Sequence, residues 1–278
     1  MHRFSQIDVF TDEFTYGNPV AVVHGADELI DEQLARFAQW TNLSETTFLL
    51  APTEPGADYR LRIFTPAREL PFAGHPTLGS ARAWLEAGGV PADPDRIVQQ
   101  CAAGLVPVRT DGERLAFAAP PLLRSGPVAP EDVAQIAAAL DLPVSEVVDA
   151  QWVDNGPGWV ALLLADADTV LRLEQNPQAA QAFPDVGVIG PHPAGSATDY
   201  EVRALVPWLA AAEDPVTGSL NAGLAQWLIG AGIAPTSYTV TQGTRLGRRG
   251  RVYVDQVGAD IWIGGNTVVG ITGNLHAW

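Results

Sequence analysis

The pentapeptides PTLGS at residues 76–80 and PVTGS at residues 215–219 decide the fold expected of this chain. They lie 139 residues apart, which is half of the 278-residue length. Two further matches flank this pair in the same order: RIFTP (62–66) with RALVP (203–207), and AWLEAGG (83–89) with QWLIGAG (226–232). Three matches in one order indicate an internally duplicated protein with two lobes.

Each half reads as mixed α and β. Apolar residues at helical spacing predict helices around 30–38 and 133–140. Strands are predicted more often than helices, and a turn is expected at Asp111-Gly112. The predicted strands are 3–10, 18–24, 46–50, 59–65, 97–109, 114–119, 159–165, 186–190, 200–206, 237–241, 252–257 and 261–264.

These elements predict an α+β fold of two pseudo-symmetric lobes. Each lobe is expected to be a curved, mostly antiparallel sheet or barrel around the one apolar helix that follows its Pro-x-x-Gly-Ser signature. The proline-rich stretch PLLRSGPVAP at 121–130 is the predicted linker. The lobes would then span residues 1–120 and 129–278, with the option that the last strand packs back on the first lobe.

Composition and charge exclude several classes of protein. No apolar run approaches the ~20 residues that cross a bilayer, and the first twenty residues lack the apolar core of a signal peptide. We therefore expect a cytoplasmic protein without a membrane partner. The net charge of −16 argues against binding nucleic acid through its phosphates.

The residue types present also exclude some chemistry. All 16 basic residues are arginine, so enzymes that need a lysine, such as pyridoxal-phosphate enzymes and P-loop proteins, are excluded. Cys101 is the single cysteine, which excludes a disulfide framework and a cysteine metal site. The five histidines are scattered along the chain. We therefore expect no histidine-rich metal site, although carboxylates could still bind a cation.

The two helix starts point to a ligand. Proline suits the first helical turn, so the helices are expected to begin at or just after Pro76 and Pro215. If the two starts face each other across a pseudo-twofold axis, their unpaired N–H groups and positive dipole ends converge on one point. A small anionic substrate is the predicted partner.

The residues around these prolines have alternative interpretations. Asp214 precedes the second proline, where it could be an ordinary N-cap or a functional residue. His75 precedes the first, and because histidine is a poor cap we expect it to be functional. The glycines Gly79 and Gly218 could serve helix packing or a close approach of backbone to ligand. Glu45, in NLSETTFLL, could be a solvated loop residue or a proton-transfer group.

The chain resembles the PhzF family of phenazine biosynthesis over nearly its whole length. The segments that carry the resemblance are GNPVAVV (17–23), NLSETTFLL (42–50), RIFTPARELPFAGHPTLGSA (62–81) and EDPVTGSLNAGLA (213–225). The resemblance implies a diaminopimelate-epimerase-like fold, a homodimer, and isomerisation of a substrate such as trans-2,3-dihydro-3-hydroxyanthranilate without metal or cofactor.

The resemblance also assigns roles to residues. It makes Glu45 the catalytic acid and base that moves a proton between two ring carbons. It makes His75 and Asp214 polar residues that hold the substrate and assist this proton transfer. Three further residues are implied at the substrate carboxylate: Gly74, Gly218 and Ser219. Leu220 and Asn221 depart from the family pattern, which leaves the substrate open.

Two other functions remain open from the sequence. One is epimerisation or racemisation of an amino or hydroxy acid by a single carboxylate with His75, since Cys101 alone excludes a two-cysteine mechanism. The other is a non-catalytic protein that binds a small anion.

Overall fold

The computed structural model describes residues 1–176, 185–207 and 212–276. The chain divides into two compact units. Unit 1 comprises residues 1–118 and 264–278, and unit 2 comprises residues 119–263. The last strand belongs with unit 1, one of the two arrangements that the sequence allowed. The boundary between residues 118 and 119 lies two residues before the end expected for the first lobe, residue 120.

Unit 1 is a mixed sheet with two helices. Its elements are β1 (His2–Val9), β2 (Asn18–Val23), α1 (Asp31–Thr41), β3 (Thr46–Leu50), β4 (Tyr59–Phe64), β5 (Glu69–Leu70), α2 (Gly74–Glu86), β6 (Arg96–Cys101), β7 (Gly104–Asp111), β8 (Arg114–Ala118) and the C-terminal β18 (Thr267–Leu275).

Most strand pairs of unit 1 are antiparallel. β1 lies between β18 and β2 and is antiparallel to both. β2 then runs parallel to β3, β3 antiparallel to β4, and β4 antiparallel to the short β5 and parallel to β6. Antiparallel pairs of β6 with β7 and of β7 with β8 complete the unit. Helix α1 lies in the connection from β2 to β3, and helix α2 lies in the connection from β4 to β6, because two parallel strands are joined by a crossover.

Unit 2 contains the remaining elements. They are β9 (Arg124–Pro127), α3 (Pro130–Ala139), a 3-10 turn (Val144–Glu146), β10 (Val147–Asp154), β11 (Val160–Leu164), α4 (Ala167–Arg172), β12 (Val186–Pro191), β13 (Tyr200–Leu205), β14 (Glu213–Asp214), α5 (Gly218–Gly230), β15 (Ser237–Gln242), a 3-10 turn (Thr244–Leu246), β16 (Gly250–Val257) and β17 (Asp260–Gly265).

The strand pairs of unit 2 repeat those of unit 1. β10 is antiparallel to β9 and β11, β11 is parallel to β12, and β12 is antiparallel to β13. β13 is antiparallel to the two-residue β14 and parallel to β15, which is antiparallel to β16. The pairs β2–β3 and β4–β6 therefore have parallel counterparts in β11–β12 and β13–β15. The predicted duplication is present in the topology.

Each unit has an apolar core with a buried central helix. In unit 1 the rings of Phe37, Phe48 and Phe64 pack edge to face beside Leu34 and Val23. The first eight residues of α2 are all buried, and this helix contacts strands throughout its sheet, from β18 and β1 to β6 and β8. In unit 2, β11 supplies the fully buried Leu162 to a second core. The α+β architecture with a central helix in each half is confirmed.

Several local predictions were wrong. Helix α2 begins at Gly74, two residues before Pro76, and α5 begins at Gly218, three residues after Pro215. The N-cap of α5 is Thr217, so Asp214 is not a helix cap. The segment 97–109 is a hairpin of β6 and β7, because Gly104 adopts a φ of +103° at its turn. The predicted linker contains β9, which pairs with β10.

The structural repeat also has a different register from the one read in the sequence. The pairs Phe64–Glu69 and Leu205–Glu213 are equivalent ladder positions, and the central helix begins five residues after each glutamate. The matching segments are therefore ELPFAGHPTLG (69–79) and EDPVTGSLNAG (213–223), which share Glu, Pro and two Gly.

The shared second glycine explains part of this conservation between halves. A Cβ atom at Gly79 would lie 2.3 Å from Cγ1 of Val20, and one at Gly223 would lie 2.3 Å from the carbonyl oxygen of Val153. Both helices therefore press their backbone against the sheet, whereas the packing considered for Gly79 from the sequence was of one helix against the other. Among the described residues, no helix is long and apolar enough to span a membrane.

Candidate active site

Glu45 and His75 are brought together in unit 1. Glu45 directly precedes β3, and His75 is the second residue of α2. Oε2 of Glu45 lies 3.3 Å from Nε2 of His75, and the side chains are 15% and 5% exposed. The two atoms are in contact, but their arrangement is not that of a hydrogen bond. Glu45 is therefore not the solvated loop residue that its sequence also allowed.

His75 is neutral at physiological pH. Burial removes water from the ring and lowers the pKa of His75 well below its usual value of 6.5. Asn18, fully buried at the start of β2, places its amide nitrogen 3.4 Å from Nδ1 of His75. Because an amide nitrogen only donates, Nδ1 accepts and the ring proton sits on Nε2. The histidine thus presents its single N–H to Glu45.

The start of α2 offers backbone donors beside this pair. The N-cap is Ala73, which has no side chain able to cap the helix. Gly74 and His75 occupy the first two helical positions, where backbone N–H groups have no partner within the helix. The positive end of the helix dipole favours an anion here.

In unit 2, Asp214 lies on β14 just before α5. Its Oδ2 accepts a hydrogen bond of 2.5 Å from the hydroxyl of Thr217. The backbone N–H of Thr217 donates to Oε1 of Gln242, at the end of β15. Asp214 is thus held in a buried polar network and is 8% exposed.

Gly218 and Ser219 begin α5 and form its first turn. The indole N–H of Trp159 donates to Oγ of Ser219 at 3.0 Å, and the side-chain amide of Asn155 donates to the carbonyl oxygen of Ser219 at 2.8 Å. Because the Trp159 N–H can only donate, the Ser219 hydroxyl keeps its own proton for another acceptor. The loop containing NGPGW (155–159) therefore orients Ser219.

The structural register makes Ser219 the counterpart of His75. Each is the second residue of its central helix. Asp214, which the sequence paired with His75, corresponds instead to Leu70 of β5. The polar side chains at the two helix starts therefore differ in type, although the backbone is duplicated.

The described part of the chain contains no cluster of His, Cys, Asp and Glu suited to a metal ion. Cys101 lies at the end of β6, where burial raises the pKa of its thiol. The N-caps of the two central helices are Ala73 and Thr217, so neither offers a thiol.

Several residues at these sites were not anticipated from the sequence. Asn18 was visible only as part of the family-like GNPVAVV segment. Trp159 and Gln242 belong to no motif that carries the predictions made from the sequence. Amide and indole groups carry no distinctive spacing, so only the fold could place them.

Comparison with known proteins identifies the family. A family model described as phenazine biosynthesis-like protein, PhzC-PhzF, matches residues 7–273. Antisense-enhancing sequence 1 of Schizosaccharomyces pombe is 38% identical, over 94% of this chain and 91% of that protein. A trans-2,3-dihydro-3-hydroxyanthranilate isomerase of Pseudomonas aeruginosa is 36% identical, over 93% of this chain and 92% of the other.

The solved structures agree with this relationship. A PhzF family protein of Enterococcus faecalis superposes with a TM-score of 0.83 at 26% identity, covering 99% of both chains. With the fold, the Glu45–His75 pair and these relatives together, the chain belongs to the phenazine biosynthesis-like PhzC-PhzF family and is an isomerase.

Proposed function

We propose that this isomerase moves a proton within a small cyclic carboxylate such as trans-2,3-dihydro-3-hydroxyanthranilate, and that Glu45 carries the proton. The observation that carries the proposal is the 3.3 Å approach of Oε2 of Glu45 to Nε2 of the neutral His75. The substrate itself is taken from the name of the relative from Pseudomonas aeruginosa, which is 36% identical.

The chemistry needs one group that is first a base and then an acid. The Glu45 carboxylate accepts a proton from one substrate carbon, and the electron pair delocalises into the conjugated system. The protonated Glu45 then returns the proton to another carbon, so no proton is gained or lost overall. A single carboxylate is sufficient, since general acid–base groups act in both directions.

His75 contributes by staying neutral. A protonated imidazole would hold Glu45 as a fixed ion pair and make it a weaker base. A neutral ring instead turns its one N–H, on Nε2, toward the carboxylate and does not compete for the transferred proton. Asn18 supports this state by donating to Nδ1.

The backbone donors at the helix starts fit a carboxylate ligand. Gly74 in unit 1, and Gly218 with Ser219 in unit 2, keep their predicted substrate-binding roles in this proposal. Asp214 keeps its predicted catalytic role as a hydrogen-bond partner of the substrate. No metal or organic cofactor is required by the proton transfer as written.

The test is the substitution Glu45→Gln, which preserves side-chain size but cannot accept a proton. We expect turnover of trans-2,3-dihydro-3-hydroxyanthranilate to fall by about 10²- to 10⁴-fold, the usual contribution of general acid–base catalysis. The matched control is Glu32→Gln on α1, where the side chain is 78% exposed. Near-normal turnover by Glu45→Gln, with the wild type active, would remove the basis of the proposal.

A place in phenazine biosynthesis and a homodimeric state belong to the same proposal. Family membership supports the first, and the second is carried over from the resemblance. Product formation from the named substrate in a reconstituted assay checks the former, and sedimentation equilibrium of the purified chain checks the latter.

A further inference from the structure

Gln242 has an unusually complete set of hydrogen bonds for a side chain outside the residues with an assigned role. It is the last residue of β15 and is fully buried. Its Oε1 accepts from the backbone N–H of Thr217 at 3.1 Å and from Nδ2 of Asn221 at 2.9 Å. Its Nε2 donates to the carbonyl oxygen of Asp214 at 3.2 Å and to Oγ1 of Thr217 at 2.9 Å. Both ends of the amide are saturated.

The orientation of this amide is fixed by the backbone. The N–H of Thr217 can only donate, so it must face the amide oxygen of Gln242. The carbonyl of Asp214 can only accept, so it must face the amide nitrogen. The two ends of the side chain therefore cannot be exchanged without losing both bonds.

This orientation determines where the Thr217 proton points. Because Nε2 of Gln242 donates to Oγ1 of Thr217, that hydroxyl accepts there and directs its own proton elsewhere. The proton goes to Oδ2 of Asp214, at 2.5 Å. A hydroxyl that donates to an ionised carboxylate makes a short, strong hydrogen bond. The three side chains form a chain of donors with one direction, from Gln242 through Thr217 to Asp214.

We propose that Gln242 is a positioning residue that, through Thr217, fixes the rotation of Asp214 and keeps its Oδ2 an acceptor. This inference rests on the proposed function, in which Asp214 binds the substrate. Gln242 also holds the segment between β14 and α5 by its two backbone contacts, so the same side chain sets the position of the α5 start.

The described part of unit 1 shows no equivalent set of hydrogen bonds before its central helix. Its buried glutamine on β6, Gln99, donates to the hydroxyl of Thr77 at 3.0 Å and accepts from the hydroxyl of Tyr59 at 3.2 Å. Thr77 lies in the first turn of α2, after its start. Gln99 is therefore a buried amide of similar type that makes none of these hydrogen bonds to the chain before its central helix, and it serves as the matched control.

The test is a double-mutant cycle of Gln242→Leu and Asp214→Asn, measured as kcat and KM with trans-2,3-dihydro-3-hydroxyanthranilate. Of the four hydrogen bonds that Gln242→Leu removes, the one to Oγ1 of Thr217 directs that hydroxyl to Asp214, and we expect its loss to lower kcat on the order of 10-fold. In the Asp214→Asn background the same change should lower kcat by less than about 3-fold, since the positioned group is already altered. Gln99→Leu should have the same effect in both backgrounds.

A second pair of variants covers the case in which Gln242→Leu fails to fold. Thr217→Val keeps the volume and removes the hydroxyl, so it should lower kcat like Gln242→Leu, whereas Thr217→Ser keeps the hydroxyl and should retain most of the activity. The inference would be overturned if the effects of Gln242→Leu and Asp214→Asn on kcat simply multiplied, or if Thr217→Val and Thr217→Ser were equally active. In either case an active wild type would leave the proposed function intact. A wild type without turnover would overturn both.

Discussion

Unit 1 and unit 2 share one order of strand pairs, but the first turns of their central helices carry different side chains. The second helical residue is His75 in unit 1, where it faces Glu45, and Ser219 in unit 2, where it accepts from Trp159. At equivalent positions before the central helix, unit 1 has Leu70 and unit 2 has Asp214. The duplication thus preserved the backbone that creates two helix starts and left the chemistry at each free to diverge.

A second comparison concerns an ion pair that both units place between equivalent strands. Arg62 on β4 pairs with Glu69 on β5, and their side chains are 25% and 37% exposed. Arg203 on β13 pairs with Glu213 on β14, and theirs are 7% and 5% exposed. The same contact is therefore half-solvated in one unit and buried in the other. Burial should decide how much each pair matters.

The largest expected effect is the loss of the buried arginine. Arg203→Met leaves the Glu213 carboxylate buried without its partner and also removes donors to two backbone carbonyls of the segment at 170–173. We expect the free energy of unfolding to fall by about 3–5 kcal/mol. The equivalent change Arg62→Met should cost at most about 1 kcal/mol, because water screens that pair. Urea unfolding of both variants measures the difference, and equal losses would contradict the comparison.

Next in size is the difference between the two second helical residues. His75→Ala removes the N–H that faces Glu45, and we expect kcat/KM to fall about 100-fold, or roughly 2.7 kcal/mol. Ser219→Ala removes one hydroxyl and should lower kcat/KM by about 10-fold or less. Steady-state kinetics of the two variants test the order. A larger effect at Ser219 would show that the start of α5 in unit 2 contributes more to catalysis than His75 does.

The close approach of each helix to its sheet gives a smaller, structural contrast. An alanine Cβ at position 223 would meet the backbone oxygen of Val153, which cannot rotate away, whereas at position 79 it would meet the Val20 side chain. We expect Gly223→Ala to cost about 2–3 kcal/mol and Gly79→Ala about 1–2 kcal/mol. Thermal unfolding of the two proteins decides whether the backbone contact is the stricter one.

The smallest expected effect is a dependence of stability on pH that unit 1 owes to His75. The native pKa of His75 lies below the unfolded value of 6.5, so below that pH the unfolded chain binds a proton that the native chain does not. His75 therefore costs no stability above pH 6.5. Below that pH the free energy of unfolding falls, by up to about 1.4 kcal/mol per pH unit. His75→Gln should flatten the stability curve between pH 6 and 5 relative to wild type. An unchanged slope would mean that the ring is not held neutral.

Much of the fold could be predicted from the sequence because repeated patterns survive duplication. The two-lobed α+β plan followed from a short repeated motif and its flanking matches. The register did not, because PTLGS and PVTGS resemble each other without being equivalent. The true equivalence, Glu69 with Glu213 and Gly74 with Gly218, depends on strand pairing and on where each helix begins, which are tertiary facts.

Missed strands have a similar cause. β9 lies in a stretch rich in proline, Arg124–Pro127, and forms a strand only because β10 is available to pair with it. β18 has no buried residue and shows little apolar alternation, but it pairs with β1 from Thr267 to Leu275 except at an irregularity at Gly270. Both segments are strands because a distant strand supplies their hydrogen-bond partners, and the local sequence does not indicate that partner.

The candidate site was predicted in part. Glu45 and His75 came from the family resemblance, and the structure brings the two side chains together. The amides beside the site residues, Asn18 next to His75 and Gln242 next to Thr217 and Asp214, could not be predicted, since a buried amide is recognised by its partners and not by its position in the sequence. The assigned roles of all six site residues remain predictions: Glu45, His75, Asp214, Gly74, Gly218 and Ser219.

The central claim is that the carboxylate of residue 45 carries the transferred proton, and a reaction in deuterium oxide tests it most directly. Wild-type protein and Glu45→Gln would be incubated with trans-2,3-dihydro-3-hydroxyanthranilate in deuterium oxide, and deuterium in recovered substrate and product would be located by NMR. We expect the wild type to form product whose receiving carbon carries the substrate's own hydrogen, or deuterium in those molecules in which protonated Glu45 exchanged with the solvent before it returned its proton. We expect neither product nor exchange with folded Glu45→Gln. Deuterated product formed by Glu45→Gln at the wild-type rate would contradict the account.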